Sequence, residues 1–419
     1  MRILWVKMGG LWPSTSGGRI RSLEILSCLS QRHEVTVLTT EGPDDDPEGL
    51  ARRLPRCRIM SVPFVAPRLG SASFAVALAR SWLSPLPVDL WKWRVDAIRD
   101  RVRTLVADGA AEICVADFLV AVPNIPGSTR VPLVLFEHNV EYMIWRRLAA
   151  LESRPWRRAL LEIEWRKVRR FERAACSKAD LTVAVSEDDR RLLERLSPGI
   201  ECVAIPTGVD ARYFAPGGRP EVPHRLVFTG SMDWHPNEDA ILHFSTAILP
   251  RIRAQVPDVT VTVVGRNPSP HLRAAAEGAG MVVTGTVDDV RPYIDEAAVY
   301  VVPLRAGGGT RLKIFEALAM AKAVVSTTVG AEGLGLTPDR DVCIADEPGE
   351  FAQAVIALLQ EPARRHALGD AGRLLVNNRY SWEHVAGHFD TCCQAVIDRA
   401  GTNTGHGTLD AMVQRSTSL

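Results

Sequence analysis

VYVVPLRAGGGTRLKIFEALAM, Val299 to Met320, passes from an apolar strand pattern through three consecutive glycines into a helix-forming run. Val299 to Leu304 reads as a buried strand and Gly307, Gly308 and Gly309 as a loop. Thr310 then stands where the cap of the following helix belongs. Strand, glycine loop and helix start together gather unpaired backbone N–H groups and the positive end of a helix dipole, an arrangement that holds anions. Arg311 and Lys313 add two cations, and Glu316 lies three residues from Lys313 on the same helical face. A tight turn with solvated cations is the competing explanation for the glycines alone. Cations at the start of a helix oppose its dipole, so an anion at this place accounts for them better. The stretch predicts a phosphate-bearing ligand.

Size and composition bound what such a ligand site can belong to. A chain of 419 residues has room for two or three domains, each with its own core. Its hydrophobic share of 46% and charged share of 24% are those of a soluble globular protein. A net charge of +1 excludes a nucleic-acid binder on global electrostatics, so attraction for anions must be local. The eight cysteines lack metal-ligand spacing, and buried thiols in a reducing cytosol are the plain reading. MRILWVKMGG is too short an apolar run for a signal peptide and suits a first strand instead. The apolar run Phe74–Leu83 is interrupted by Arg80 and falls far short of the ~20 residues that span a bilayer. These features place the protein in the cytoplasm.

Apolar strand patterns alternate with helical ones in two series, which predicts parallel sheets covered on both faces. The first series has strands at 3–7, 34–39, 58–62, 112–117, 132–137, 181–185 and 202–205, with helices at 20–30, 88–108 and 156–178. The second has strands at 225–229, 260–264, 281–284, 299–304, 323–326 and 342–344. The Pro/Gly-rich stretch 206–224 between them reads as a linker. The expected organisation is an N-terminal Rossmann-like domain over 1–205, the linker, and a C-terminal Rossmann-like domain over 225–380. A helix over 381–400, free to cross back to the first domain, and a disordered polar tail over 401–419 complete it. In doubly wound sheets ligands bind outside the carboxyl ends of the strands, here in a cleft between the two domains.

Three further segments fall at such ends. Gly17 and Gly18 open a helix whose Ile20, Leu23, Leu26 and Leu29 recur at core spacing. The spacing fails the GxGxxG fingerprint and no acidic residue closes the second strand, which disfavours NAD. Ligand approach and close helix packing explain the glycine pair equally well. FEHNVEY, Phe136–Tyr142, ends a strand on Glu137, His138 and Asn139, and the strand-end position favours His138 as a site residue. In GSMDWHPNED, Gly230 turns the chain, Asp233 and Trp234 follow on the cleft side, and Asn237 is placed to cap a helix. The Trp/Arg-rich run Trp145–Arg173 fits an ordinary amphipathic helix with a solvated basic face, and it is also compatible with peripheral contact on a membrane.

The motifs in their order resemble those of the retaining glycosyltransferases of family 4, an α/β family with the GT-B fold of two Rossmann-like, doubly wound parallel-sheet domains facing a central cleft. The carriers are PSTSGGRIRSLEIL, HEVTVLTT, IPTGVDARYFAP, VGRNPS, TGTVDDVRPYIDEAAVYVVPL, GGGTRLKIFEALAMAKAVVST and RYSW at Arg379–Trp382, covering roughly Met1 to Ala400. The resemblance implies transfer of a sugar from a nucleotide-sugar donor (a UDP-, GDP- or ADP-sugar) to a glycan or lipid-linked acceptor. The setting it implies is cell-surface or exported polysaccharide assembly at the inner face of the membrane. It implies no metal and no other cofactor. By the same resemblance Glu316 would hold the donor ribose, and Arg311 and Lys313 the diphosphate. Gly17 and Gly18 would approach the phosphates from the first domain, and His138, with Asn139 beside it, would lie near the transferred sugar. Gly230, Asp233, Trp234, Gly265 and Arg266 would line the donor side, and Gly285 with Val287 would flank the nucleobase. Gly307, Gly308, Gly309 and Thr310 would cradle the donor.

Two departures stand out. Gly308 occupies the place of the family's usual first glutamate, and GSMDWHPNED replaces the common Arg and Lys after the first strand of the second domain. A branch with a GGGTRLKI loop shares both, so the phosphate role is expected to have moved to Arg311 and Lys313. A nucleotide-sugar epimerase of the same architecture and a catalytically silent sugar-nucleotide binding protein are the alternatives.

Overall fold

The computed structural model describes residues 1–402, apart from 15, 69, 128, 129, 153 and 307–310. Gly307, Gly308, Gly309, Thr310 and the tail beyond residue 402 therefore lie outside the described residues. The chain divides into two units, one of residues 1–206 with the chain from Val385 onward, the other of residues 207–384.

The first unit carries seven strands among the described residues. They are β1 (Arg2–Lys7), β2 (Glu34–Glu41), β3 (Cys57–Pro63), β4 (Ile113–Asp117), β5 (Leu133–Phe136), β6 (Leu181–Ala184) and β7 (Cys202–Ala204). All pair in parallel, in the order β3-β2-β1-β4-β5-β6-β7. The central strands are buried almost throughout because crossover helices cover both faces, which is why they read as continuous apolar runs. Strand order reverses beside β1, and the register sets Lys7 at the end of β1 against Asp117 at the end of β4. The helix Gly17–Leu29 follows β1, its first turn closed by Ser16, whose hydroxyl accepts from the Arg19 N–H.

The helix Trp382–Thr402 gives its turns from Val385 onward to this unit. Phe389 enters an aromatic cluster with ring centroids 5.6 Å from Trp5 and 5.2 Å from Phe136, and Cys392 and Cys393 are buried beside it. Burial of a phenylalanine of this kind stabilises by about 1.5–3 kcal/mol. His33 and Arg399 tie the same helix down through Asp390 (2.7 Å) and Glu201.

The second unit carries six parallel strands among the described residues: β8 (Arg225–Thr229), β9 (Thr260–Val264), β10 (Val282–Val283), β11 (Val299–Val302), β12 (Ala323–Ser326) and β13 (Cys343–Ile344). Their order is β10-β9-β8-β11-β12-β13, with the reversal beside β8. Alternate residues of β8 feed separate cores, Leu226 and Phe228 on one face and Val227 on the other. Each unit is thus an open, doubly wound α/β sheet, as the alternating pattern predicts.

Three expectations need correction. The helical run 88–108 is broken into Val88–Trp91 and Asp96–Ala107. The Asn124 side chain diverts the backbone there, accepting from the Val95 N–H (2.8 Å) and donating to the Trp93 carbonyl (2.9 Å). The stretch 206–224 does not hang free. Asp295 accepts from the N–H groups of Gly217 (3.1 Å) and Arg219 (2.9 Å), and Val209 bonds the Tyr380 carbonyl at 2.7 Å, so the PTGV and RYSW motifs meet in the second unit. Asn237 does not cap a helix: the helix runs His235–His243 from Trp234, and Asn237 lies inside its first turn.

Candidate active site

In the second unit a cavity of about 490 Å³ opens at the carboxyl ends of β8, β9 and β10, where doubly wound sheets bind ligands. After β8 come Thr229, Gly230 and Ser231, and after β9 come Gly265 and Arg266. Thr286, Val287 and Val290 form the wall beyond β10. The helix Leu312–Ala319 contributes Lys313 and Glu316. Its N-cap position falls on Arg311, one residue beyond the expected cap, and no side chain caps it among the described residues.

Asn237, almost fully buried, organises this wall. Its Nδ2 donates to the Ser231 carbonyl at 2.8 Å, and its Oδ1 accepts from Lys313 Nζ at 2.8 Å. The Lys313 ammonium also lies over the Phe228 ring, 4.1 Å from its centroid. A side chain at Gly230 would displace this contact: a Cβ there would stand 2.5 Å from Lys313 Nζ and 2.7 Å from Asn237 Nδ2. At Gly265 it would meet the Gly230 carbonyl at 1.7 Å. Lys313 and Glu316 keep part of their surface toward the cavity yet are enclosed by protein. Burial lowers Lys313 to a pKa of about 7 against the pull of Glu316, and burial raises Glu316 to about 7 against the pull of Lys313. Such mutual displacement at a strand-end cavity is the pattern of a working site. A broader depression of about 730 Å³, lined by Arg251, Gln255, Glu350 and Gln353, presents only exposed side chains and no buried charge.

Arg311 is buried in the cavity wall, with its guanidinium 3.3 Å from the Glu332 carboxylate. Trp234 lines the cavity, partly exposed. Asp233 is exposed beside the lining residues Ser231 and Arg266, its carboxylate accepting from Ser231 and Asn267 and standing 3.9 Å from Arg266. Gly285 takes a left-handed turn (φ +76°) beside the cavity, leaving Thr286 and Val287 as the lining residues.

The first unit brings a second polar cluster to the carboxyl ends of β1, β4 and β5. Asp117 sits at its centre, accepting from Trp5 Nε1 (2.8 Å) and His138 Nε2 (2.8 Å), with Lys7 Nζ at 3.3 Å. Burial alone would push Asp117 up, but Lys7 and His138 outweigh it and hold the pKa at about 2. Burial lowers Lys7 to about 8 and His138 to about 3, in both cases against Asp117. Gly18 is the near point of the glycine helix, where a Cβ would come within 2.4 Å of the Phe118 ring and 3.5 Å of His138 Nδ1. Gly17 has open space beside it. Asn139 follows half-buried. Glu137 does not join His138. Its carboxyl is held well above the ordinary range, first by burial and then by the charges of Glu172 and Glu141. Lys7, Asp117, Phe118 and Asn237 escape sequence reasoning; the signal for the first two was a single polar residue closing an apolar strand.

Residues 15–213 match the model of Glycosyltransferase Family 4, and residues 223–361 match that of Glycosyl transferases group 1. The two matches follow one another along the chain and place it among the GT-B glycosyltransferases of families 4/1. A phosphatidyl-myo-inositol mannosyltransferase of Mycolicibacterium smegmatis is 32% identical over 216 residues, 49% of this chain and 54% of that protein. The chain thus spans about half the length of that relative. An alpha-maltose-1-phosphate synthase of Mycobacterium tuberculosis is 26% identical over 353 residues, 76% of this chain and 83% of that one. Among solved structures, Anabaena HepE in complex with UDP shares the fold with a TM-score of 0.65 at 12% identity, covering 94% of this chain and all of that one (100%). No helix among the described residues is long and apolar enough to cross a membrane.

The displaced pair has a signature in stability. Glu316, raised from 4.5 to about 7, binds its proton more tightly in the folded state, so its contribution falls as pH climbs through that window. Lys313, lowered from 10.5 to about 7, binds its proton less tightly when folded, so its contribution grows as pH rises from about 7 toward 10.5. Thermal melts against pH should lose the lower slope in Glu316→Gln and the upper slope in Lys313→Met. Unchanged slopes in both variants would remove the pair from the cavity.

Proposed function

We propose that the protein is a retaining glycosyltransferase that moves a sugar from a nucleotide-sugar donor to a hydroxyl of a glycan or lipid-linked acceptor, in cell-surface or exported polysaccharide assembly. The Lys313–Asn237–Glu316 arrangement in the strand-end cavity carries this reading. Cleavage of a glycosyl–phosphate bond builds negative charge on the departing diphosphate and positive charge on the sugar. Groups aimed at the leaving oxygens lower the barrier by meeting that charge as it forms. A diphosphate beside Lys313 supplies the counter-charge that burial denies it and returns the amine to its protonated form. Asn237 holds that amine in place, and the uncapped first turn of the helix Leu312–Ala319 offers N–H groups to the same anion. Glu316 accepts from ribose hydroxyls, and Arg311 adds positive charge at the helix start. Val287 and its neighbours flank the base, which is of a UDP-, GDP- or ADP-sugar. By the family resemblance, His138 and the start of the glycine helix of the first unit are assigned to recognition of the transferred sugar and its phosphate. Retention of anomeric configuration follows from the family resemblance.

A screen of nucleotide sugars by thermal shift identifies the donor, and transfer assays follow. The UDP, GDP or ADP series should raise Tm, and Glu316→Ala and Arg311→Ala should each lower turnover at least about tenfold, or about 1.4 kcal/mol in barrier, while keeping the fold. NMR of the product should show the donor's anomeric configuration. Full activity in both variants contradicts the site, and tight binding without transfer favours a silent binding protein.

Exposed apolar side chains in the first unit support a peripheral contact with the inner face of the membrane. Trp82 and Leu83 close the helix Ala72–Trp82, and Trp156 and Ile163 project from the helix Pro155–Lys178. Lys167 Nζ donates to the Ser81 carbonyl at 2.8 Å, joining the two helices. Arg157, Arg158, Arg166, Arg169 and Arg170 share that second helix, a basic and aromatic mixture that suits anionic lipid. The protein should sediment with anionic liposomes at low salt and be released at high salt; retention in the supernatant at low salt would make this an ordinary solvated surface.

A further inference from the structure

Resting on the transferase reading, we propose that Asp117 and Phe118 are positioning residues. They lock His138 as a neutral ring with its proton on Nε2, presenting Nδ1 as an acceptor to a sugar hydroxyl at the start of the helix Gly17–Leu29.

The tautomer follows from the hydrogen-bond inventory. An ionised carboxylate only accepts. Asp117 Oδ2 takes the Trp5 indole N–H, and Oδ1 stands 2.8 Å from His138 Nε2. Nε2 must therefore carry hydrogen, because a lone pair there would face a buried anion. The charges around the ring are Asp117 on β4, Lys7 on β1 and Arg21 on the glycine helix. Lys7 already balances Asp117, so a second positive charge on the imidazole finds no partner and the ring stays neutral. Nδ1 is then left with a lone pair. Among the described residues it has no hydrogen-bond partner, although the side chain is only 4% exposed.

Phe118 fixes the orientation of the ring at a cost to the backbone. It holds φ 70° and ψ 156°, a region that L-residues seldom adopt, and such backbone strain concentrates at functional sites. Its N–H is bonded to the Phe136 carbonyl at 3.0 Å, which keeps the strained residue against β5. The result is a stack. The Phe118 ring lies 3.7 Å from the His138 ring at an interplanar angle of 6°, and the Lys7 ammonium lies 3.6 Å from the Phe118 centroid. Phe136 meets the imidazole edge at 4.6 Å. With one face stacked and Nε2 bonded, the imidazole has no rotational freedom left.

The direction of Nδ1 identifies the ligand chemistry. A Cβ on Gly18 would be 3.5 Å from Nδ1, so the nitrogen opens beside the first turn of the glycine helix. Backbone N–H groups there donate to an oxyanion, whereas Nδ1 accepts from an O–H. A ligand satisfying both carries a phosphate oxygen and a sugar hydroxyl close together. An imidazolium, or the other tautomer, would present a donor and repel that hydroxyl.

The ring protonation can be read without any activity. In the full chain labelled with ¹⁵N-histidine, with His138 assigned from the signal lost in His138→Gln, ring ¹⁵N–¹H correlations distinguish protonated from lone-pair nitrogens. The expected spectrum has hydrogen on Nε2 and none on Nδ1, unchanged from about pH 5 to 9, outside which ordinary histidines have finished titrating. Asp117→Asn should produce a mixed or titrating ring and lower kcat/KM about a hundredfold, the scale of misplacing a reacting group. A proton on Nδ1, or titration near pH 6.5, in the wild-type protein overturns the proposal. So does an Asp117→Asn variant that keeps both the tautomer and kcat/KM. The expected spectrum in a protein inactive with every donor would uphold the locked ring and count against the transferase reading instead.

Discussion

A parallel sheet whose strand order reverses beside its first strand leaves a place at the carboxyl ends that no crossover helix covers. Both units are built around that constraint. In the first, the reversal falls between β1 and β4 and sets Lys7 opposite Asp117. In the second it falls beside β8, and Gly230, Asn237 and Lys313 converge there. The apolar strands fold the sheets; what stands at their ends is free to serve chemistry.

Both sites place charge where burial penalises it, and they resolve the penalty in opposite ways. In the first unit Asp117 is fully furnished with donors, so the Lys7–Asp117 pair stays ionised and His138 stays neutral. In the second, Lys313 has a neutral amide and an aromatic face, and neither it nor Glu316 keeps its ordinary pKa. Buried ionisable groups seldom improve stability over apolar packing of the same volume. Their retention beside an open cavity is better explained by a ligand that completes the electrostatics. In the proposed reaction an anionic leaving group would do this for Lys313, and a hydroxyl donor would do it for His138.

Much of this was legible in the chain. Strands covered on both faces must be apolar almost throughout, so β5, β11 and β12 were marked by composition alone, and turn residues marked their ends. Lys313 and Glu316 were paired by helical spacing, and the spacing survives as shared exposure to one cavity. The misses have a common cause, a side chain bonded to a segment remote in sequence. Asn237 looked like a cap because Pro236 opens a helix, but its amide is taken by Ser231 and Lys313. The run 88–108 looked continuous because nothing local breaks it; Asn124 does, from another element. Lys7 and Asp117 belong together only through the strand register, which one-dimensional periodicity does not contain.

The most direct measurement is a crystal structure of the protein soaked with the nucleoside diphosphate that binds best. The diphosphate should lie within hydrogen-bond distance of Lys313 Nζ and the start of the helix Leu312–Ala319, with the ribose hydroxyls on Glu316. A nucleotide bound away from the strand-end cavity, or an empty cavity at saturating nucleotide, would contradict this placement.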